Sequence, residues 1–224
     1  MSKFQTLTKL YKMNLHQALE PECIYHIYNR GINGQNIFFE ERNYAYFLSQ
    51  YAKYLCPVVD TFAYCLLKNH FHLLVQVKEQ TEIKRFFHSQ RTKNTPLPKE
   101  GLHSADFVVS KQFAKFFSSY TQSVNKTYKR TGSLIETPFK RVEVEADSYF
   151  TQLIWYIHHN PQKHGFVSNY REYPHSSYHS HLHSKATKLE RDKELQWFSS
   201  AHDYQHFHET QQDESLIQKY IIEF

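Results

Sequence analysis

The chain has 224 residues, 40% of them hydrophobic and 22% charged, which is enough apolar material for a sizeable core and excludes general disorder. No apolar run approaches the roughly 18–20 residues that cross a bilayer, and the five glycines form neither GxGxxG nor GxxxxGK(S/T), which excludes enzymes that bind nucleotides through those loops. The net charge is +5, but Lys78–Arg141 alone holds 13 Lys/Arg against 5 Asp/Glu.

Four strands and four helices are predicted in chain order. Alternating or β-rich segments bounded by turn residues predict strands at Cys23–Asn29, Val58–Leu67, Phe71–Val77 and Phe139–Val144. Apolar residues three and four apart predict helices through Tyr44–Leu55, over Glu79–His88, from about Asp106 to before Gly132, and from Asp147 to about Asn160. Ser89–Ser104, which contains two prolines and a glycine, is predicted to be a loop. This order is close to the ferredoxin-like split βαβ plan with an extra helix, an α+β fold on an antiparallel sheet.

The domain organisation follows from a change in composition near residue 182. Residues 1–182 are predicted to form one domain. Residues 183–224 are polar and become acidic toward their end, with apolar clusters only at Trp197-Phe198 and Ile217–Phe224. We therefore expect this last segment to be an appendage that packs on the domain.

The compartment is indicated by the cysteines and by the N-terminal residues. Cys23, Cys56 and Cys65 form no CxxC pair, which is typical of reduced thiols in a cytosolic protein. The first 22 residues lack the apolar core of a signal peptide. A cytoplasmic protein with no membrane partner is expected.

The basic middle segment suggests a nucleic-acid partner. The chain contains 17 Tyr and 18 Phe, and basic side chains interleaved with aromatic rings suit single-stranded nucleic acid, where cations follow phosphates and rings stack on bases. An ordinary solvated surface would have the same charge. Charge alone leaves both interpretations open.

A pair of histidines forms the first candidate site. Along the strand that ends at Val77, alternation places Phe71, Leu73 and Val75 on one apolar face, so His70 and His72 point together from the other face. Imidazoles two residues apart on a strand can bind one divalent cation. Two solvated histidines on an open sheet face are the alternative.

A tyrosine and an asparagine form the second candidate site. Tyr156 lies at the margin of the apolar stripe of the last predicted helix, and Asn160, four residues later, is rotated from it by only about 40°. A phenol and an amide can therefore point into one cleft. A boundary tyrosine and a helix-terminal Asn before Pro161 would show the same pattern.

These motifs together resemble the single-tyrosine HUH transposase family, and especially the REP-associated tyrosine transposases. The signature residues, in family order, are Tyr25–Gly31 (YHIYNRG), Asn69–Val75 (NHFHLLV), the Arg- and Gly-containing segment Tyr128–Phe139, Tyr156–Pro161 (YIHHNP), Gly165–Val167 and Ser176–Tyr178. The resemblance covers residues 20–180. One departure is Glu136–Phe139 (ETPF), where relatives more often carry a Gln/Gly-Arg-Phe sequence, so we assign no DNA contact there.

The resemblance implies a fold, a reaction and a cofactor. It implies the HUH nuclease form of the fold, with helices on one sheet face and the tyrosine-bearing helix after the last strand. Tyr156 would attack single-stranded DNA to give a 5′-phosphotyrosine and a free 3′-OH. His70 and His72, with Asn160 as third ligand, would hold Mg²⁺ or Mn²⁺ on the phosphate.

The resemblance also implies that the partner is single-stranded DNA with hairpin structure, in the cytoplasm and associated with the nucleoid. We expect the basic residues of the chain to bind it: Arg30, Lys111, Lys115, Lys126, Lys129 and Arg130 (the last five placed on the long predicted helix), and Lys140 and Arg141 beside the last strand. In this superfamily the tyrosine completes its own active site or a partner's. A monomer and a homodimer are both open.

Three other functions compete with a metal-dependent strand transferase. A host-adopted hairpin-binding protein would share the fold without cleaving DNA in the cell. A rolling-circle nickase uses the same chemistry, but its usual motif order and second tyrosine fit less well. A plain RNA-binding module fits less well, because the chain lacks the RRM-type aromatic motif on its inner strands. That function would also leave the histidine pair unexplained.

Overall fold

The computed structural model describes residues 18–90, 104–144, 147–210 and 212–220. Most of the loop predicted over Ser89–Ser104 lies outside these residues, as do the first 17 residues and the last four. Within the described ranges, no helix combines the length and apolarity needed to span a membrane.

The four predicted strands form one antiparallel sheet. They are β1 (Ile24–Arg30), β2 (Val59–Leu66), β3 (His70–Val77) and β4 (Lys140–Glu143). Their order across the sheet is β2-β3-β1-β4, with β1 paired to both β3 and β4. The predicted α+β fold is confirmed, and the strand ends differ from the prediction by at most one residue.

Three helices lie between the strands in sequence: α1 (Glu41–Tyr54), α2 (Gln80–Ser89) and α3 (Ala105–Thr127). A capping box between Glu40 and Asn43 starts α1, and Pro57 follows soon after its end. The rings of Phe47 (α1), Phe71 (β3) and Phe116 (α3) meet in one core, with centroids 4.8–5.4 Å apart. These contacts place α1 and α3 on the apolar face of β3, which carries Phe71, Leu73 and Val75.

The helix α4 (Asp147–Lys163) covers the opposite face of the sheet. Its predicted apolar stripe of Phe150, Leu153, Ile154 and Ile157 is buried against Leu74 and other residues of β2 and β3. Both sheet faces are therefore covered. The alternative interpretation of two solvated histidines on an open face is wrong, because His70 and His72 lie under α4.

The C-terminal residues pack against α4. They form α5 (Arg191–Leu195), α6 (Ala201–Glu209) and a 3-10 segment (Glu214–Tyr220). Phe198, Tyr204 and Ile217 are buried in the same core as Phe150. Tyr204 was not among the apolar clusters predicted from the sequence. The boundary between residues 182 and 183 stays a prediction.

A chain of buried hydrogen bonds connects α6 to α4. Nδ1 of His208 lies 2.8 Å from the Tyr204 carbonyl oxygen, so this nitrogen donates and Nε2 accepts from Nδ1 of His158 at 2.9 Å. The Ser177 hydroxyl then donates to Nε2 of His158 at 2.7 Å. This arrangement gives the ring nitrogens of the two neutral imidazoles hydrogen-bond partners in a core where a polar group without a partner would destabilise the fold.

Candidate functional site

The two predicted histidines of β3 are deeply buried and held by neighbouring polar groups. His70 is 3% exposed and His72 is 1% exposed. Nδ1 of His70 donates to Oδ1 of Asn69 at 2.8 Å, and Nδ1 of His72 shares a 3.0 Å hydrogen bond with Nε2 of His26. With its Nδ1 carrying the proton, His70 presents the lone pair on Nε2.

Both imidazoles are neutral at neutral pH. Burial, and then the charges of His164 and Arg30, lower the pKa of His70 to about 4. Burial and the neighbouring His26 hold the pKa of His72 well below its usual range. A neutral imidazole is the form that binds a metal ion, so these histidines need not lose a proton to act as ligands.

The helix α4 brings Tyr156 and Asn160 over the histidines. The Tyr156 ring lies edge-on to His72, with centroids 5.6 Å apart at 88°. Nδ2 of Asn160 donates to the Tyr156 carbonyl oxygen at 3.1 Å, and the Asn160 side chain is close enough to His70 to oppose the fall of its pKa. Tyr156 is 1% exposed and Asn160 is fully buried. One chain therefore supplies all four predicted groups.

The donor atoms fit a divalent cation. Nε2 of His72 and Oδ1 of Asn160 are buried and have no hydrogen-bond partner among the described residues. Buried polar atoms without a partner are rare, and coordination of an ion is one way to satisfy such atoms. The described part of the chain places no group of three or more His, Cys, Asp or Glu to hold a metal. In the predicted ligand set the third ligand is the Asn160 amide, and nitrogen and oxygen donors without thiolate suit Mg²⁺ or Mn²⁺ better than a zinc set.

Four side chains near the site were missed in the sequence. His26 bonds to His72, and the Tyr28 ring stacks on His72 with centroids 5.9 Å apart. The Lys163 ammonium lies 5.2 Å from the centroid of the Tyr156 ring, and the His164 ring lies 4.9 Å from that of His70. Lys163 follows Tyr156 by seven residues, about two helical turns, so the sequence could have placed it on the same side of α4. The positions of His26 and Tyr28 depend on which strand pairs with β3, which the sequence does not show.

Two of the predicted DNA-binding residues lie on the rim of this face. Arg30 pairs with His70 in the β1–β3 register, and Lys140 pairs with Tyr28 in the β1–β4 register. The Glu136 carboxylate lies 2.7 Å from Nε of Arg30 and 3.8 Å from Nζ of Lys140. The residue that departs from the family pattern therefore forms ion pairs with both cations.

The remaining basic residues lie elsewhere. Lys111, Lys115 and Lys126 line a groove on α3, across the sheet from α4. Arg141 is half-buried with its guanidinium over the Phe139 ring, in register with Ile27.

The structure corrects the placement of Lys129 and Arg130. The prediction put both residues on the long helix, but α3 ends at Thr127. Lys129 has a φ of 53°, a left-handed conformation that leaves the helical path. Arg130 then turns back, donating to Oδ1 of Asn125 and to Oε1 of Gln35.

The fold places one tyrosine, Tyr156, opposite the histidine pair of β3, which is the arrangement that the resemblance to HUH transposases predicts. No protein-family model matches the chain. A Haemophilus influenzae protein, named provisionally as a REP-associated tyrosine transposase, is 28% identical over 122 residues. That match spans 54% of this chain and 59% of the relative's length.

A solved structure described as a REP-associated tyrosine transposase bound to a REP hairpin has a similar fold. It aligns with a TM-score of 0.54 and 14% identity, covering 75% of this chain and 83% of the other. The sequence similarity to the Haemophilus influenzae protein and the shared fold confirm the predicted resemblance. The chain is therefore similar to REP-associated tyrosine transposases, in sequence over 122 residues and in fold over 75% of its length.

Proposed function

We propose that the protein is a metal-dependent transferase of single-stranded DNA that recognises hairpins and works through a 5′-phosphotyrosine intermediate. The observation that carries this proposal is the meeting of Tyr156 and Asn160 with His70 and His72. The two histidines are more than 80 positions from Tyr156 and Asn160 in the sequence, yet all four side chains lie in one buried cluster.

The chemistry assigned to the chain is a reversible exchange of phosphodiester bonds. The Tyr156 oxygen forms a bond to the scissile phosphorus while the bond from phosphorus to the 3′-oxygen breaks. The phenol proton leaves to solvent, and the 3′-oxygen takes a proton from water. The phosphotyrosine keeps the phosphodiester energy, so attack by a 3′-OH rejoins DNA without ATP.

The buried donor set supports a role for a divalent cation. His70, His72 and Asn160 would hold Mg²⁺ or Mn²⁺, which when bound supplies Lewis-acid charge at the phosphate. Asn69 and His26 fix the ring orientation of the two histidines, and Asn160 is fixed through the Tyr156 carbonyl.

Hairpin DNA is proposed as the substrate because of the relative that binds a REP hairpin and because of the cations on the chain. Arg30 and Lys140 border the Tyr156 face, where the scissile strand must lie. Lys111, Lys115 and Lys126 form a second positive region on the other side of the molecule. Association with such DNA would place the protein on the nucleoid.

Covalent capture tests this proposal. A hairpin strand labelled on its 3′ side should form a protein adduct that maps to Tyr156, in the presence of Mg²⁺ or Mn²⁺ and not with EDTA. Tyr156→Phe should abolish the adduct and keep hairpin binding. Tyr149→Phe is the matched control on the same helix. An adduct that persists in Tyr156→Phe would overturn the assignment.

One observation favours a second candidate, a host-adopted hairpin-binding protein that does not cleave. Tyr156 is only 1% exposed, so DNA reaches the phenol only if covering side chains move. Such a protein would bind the hairpin with undiminished affinity and form no adduct with either metal. The capture experiment therefore separates the two functions.

A further inference from the structure

Lys163, at the end of α4, lies beside the candidate site although it is not one of the four predicted groups. Lys163 follows Tyr156 by seven residues, so the two lie about 20° apart around the helix. The Lys163 ammonium is 5.2 Å from the centroid of the Tyr156 ring. The ammonium therefore lies beside the predicted nucleophile.

Lys163 also makes a contact that a structural role alone would explain. Its ammonium forms an ion pair with the Glu214 carboxylate, from the C-terminal 3-10 segment. This contact ties the segment to α4. The two side chains are 27% and 34% exposed, so solvent reaches the pair and an ammonium can exchange one anionic partner for another.

A cation at this position meets a need of the proposed reaction. Phosphoryl transfer depends on positive groups that contact the non-bridging oxygens as bonds to phosphorus form and break. A phosphate attacked by the Tyr156 oxygen must come within about 3 Å of that oxygen. A flexible lysine whose ammonium already lies beside the phenol ring can reach the oxygens of that phosphate.

We propose that Lys163 is a further catalytic residue, which contacts a non-bridging oxygen of the scissile phosphate while Tyr156 attacks. The inference rests on the proposed function. Lys163 stays protonated throughout, so it changes no bond and only stabilises charge. In the absence of DNA, the Glu214 carboxylate is the anionic partner of Lys163.

A pair of variants separates this role from simple anchoring. Lys163→Met and Glu214→Gln remove the same ion pair, but only Lys163→Met removes the cation. We expect Lys163→Met to slow single-turnover cleavage about 100-fold, which is the order of the effect of removing one charge-stabilising donor from an active site. Hairpin binding should change far less. Glu214→Gln should keep the cleavage rate within about threefold, because the ammonium remains.

A modified substrate tests the contact itself. A methylphosphonate at the scissile position replaces one charged oxygen with a methyl group. The methylphosphonate should slow the wild-type protein more than it slows Lys163→Met, because the variant has already lost the interaction. Equal slowing of both proteins would overturn the contact.

Further outcomes separate a failure of this inference from a folding defect and from a failure of the proposed function. If Lys163→Met lowers thermal stability, the double variant Lys163→Met/Glu214→Met removes the unpaired carboxylate and carries the same kinetic expectation. Equal rate losses in Lys163→Met and Glu214→Gln would show an anchoring role and overturn the inference. If Tyr156→Phe abolishes the adduct while Lys163→Met cleaves like wild type, only this inference fails. If wild type forms no adduct, the proposed function fails, and this inference with it.

Discussion

Nε2 of His26 on β1 lies 3.0 Å from Nδ1 of His72 on β3, and both side chains are buried. The two rings stack with centroids 5.2 Å apart at 18°. This contact fixes the rotation of the His72 ring, so that its Nε2 points away from His26. The residue that orients the predicted ligand therefore comes from a different strand.

His26→Ala should weaken Mn²⁺ binding by about 10- to 100-fold, because the His72 ring loses the partner that orients it. Titration of Mn²⁺ by calorimetry or by electron paramagnetic resonance measures the change. His26→Gln keeps a polar side chain that can bond to Nδ1 and should recover much of the affinity. Unchanged Mn²⁺ affinity in His26→Ala would show that His26 does not orient His72 for metal binding.

Glu136→Gln should strengthen binding of single-stranded DNA, because Arg30 and Lys140 lose the carboxylate that neutralises them. We expect an increase of a few fold at low salt. The slope of log K against log salt should steepen by about 0.7 for each phosphate gained. Fluorescence anisotropy across a salt series measures both quantities, and Glu172→Gln, at an exposed site, is the control. A slope identical to that of wild type would show that these cations do not meet DNA.

Changing Lys111, Lys115 and Lys126 together to Ala should reduce the salt dependence of hairpin binding, because the three ammonium groups line one groove on α3. The slope should fall by about two to three if all three meet phosphates. Cleavage at saturating DNA should be unaffected, since the groove lies across the sheet from Tyr156. A loss of cleavage at saturation, with an unchanged slope, would contradict this division of the surface.

Stability should fall as the pH is lowered from about 6.5 toward 4, because of histidines buried beside α4. Burial and then Arg191 lower the pKa of His181 to about 4, and burial lowers that of His208 to about 3. In this window each of these two histidines binds more protons in the unfolded chain than in the folded one, so acid favours unfolding through them. Each such group contributes at most about 1.4 kcal/mol per pH unit. Full stability from these groups is present above pH 6.5.

Urea unfolding at pH 7, 6 and 5 measures this dependence. His208→Gln should flatten the fall in the free energy of unfolding, because the amide cannot take up the proton and can still accept the hydrogen bond from His158. His206→Gln, at an exposed position of the same helix, is the control. An equal slope in wild type and His208→Gln would mean that His208 does not carry the effect.

Local patterns in the sequence determined the elements and two halves of the candidate site. Alternation on β3 placed His70 and His72 on one face, and the helical repeat placed Tyr156 and Asn160 together, because both follow from backbone geometry over a few residues. The resemblance then joined the two halves. No local pattern states which face of the sheet α4 covers, or that the histidines become buried by it.

Tertiary structure alone decided the surroundings of these groups. His26 and Tyr28 reach His72 because β1 pairs with β3, and Glu136 meets Arg30 across more than 100 residues of chain. The basic residues predicted to bind DNA are divided between opposite faces because α3 and α4 pack on opposite sides of the sheet. Such contacts depend on packing between distant segments. Charge and spacing along the chain cannot specify them, whereas hydrophobic burial on both faces of one sheet does.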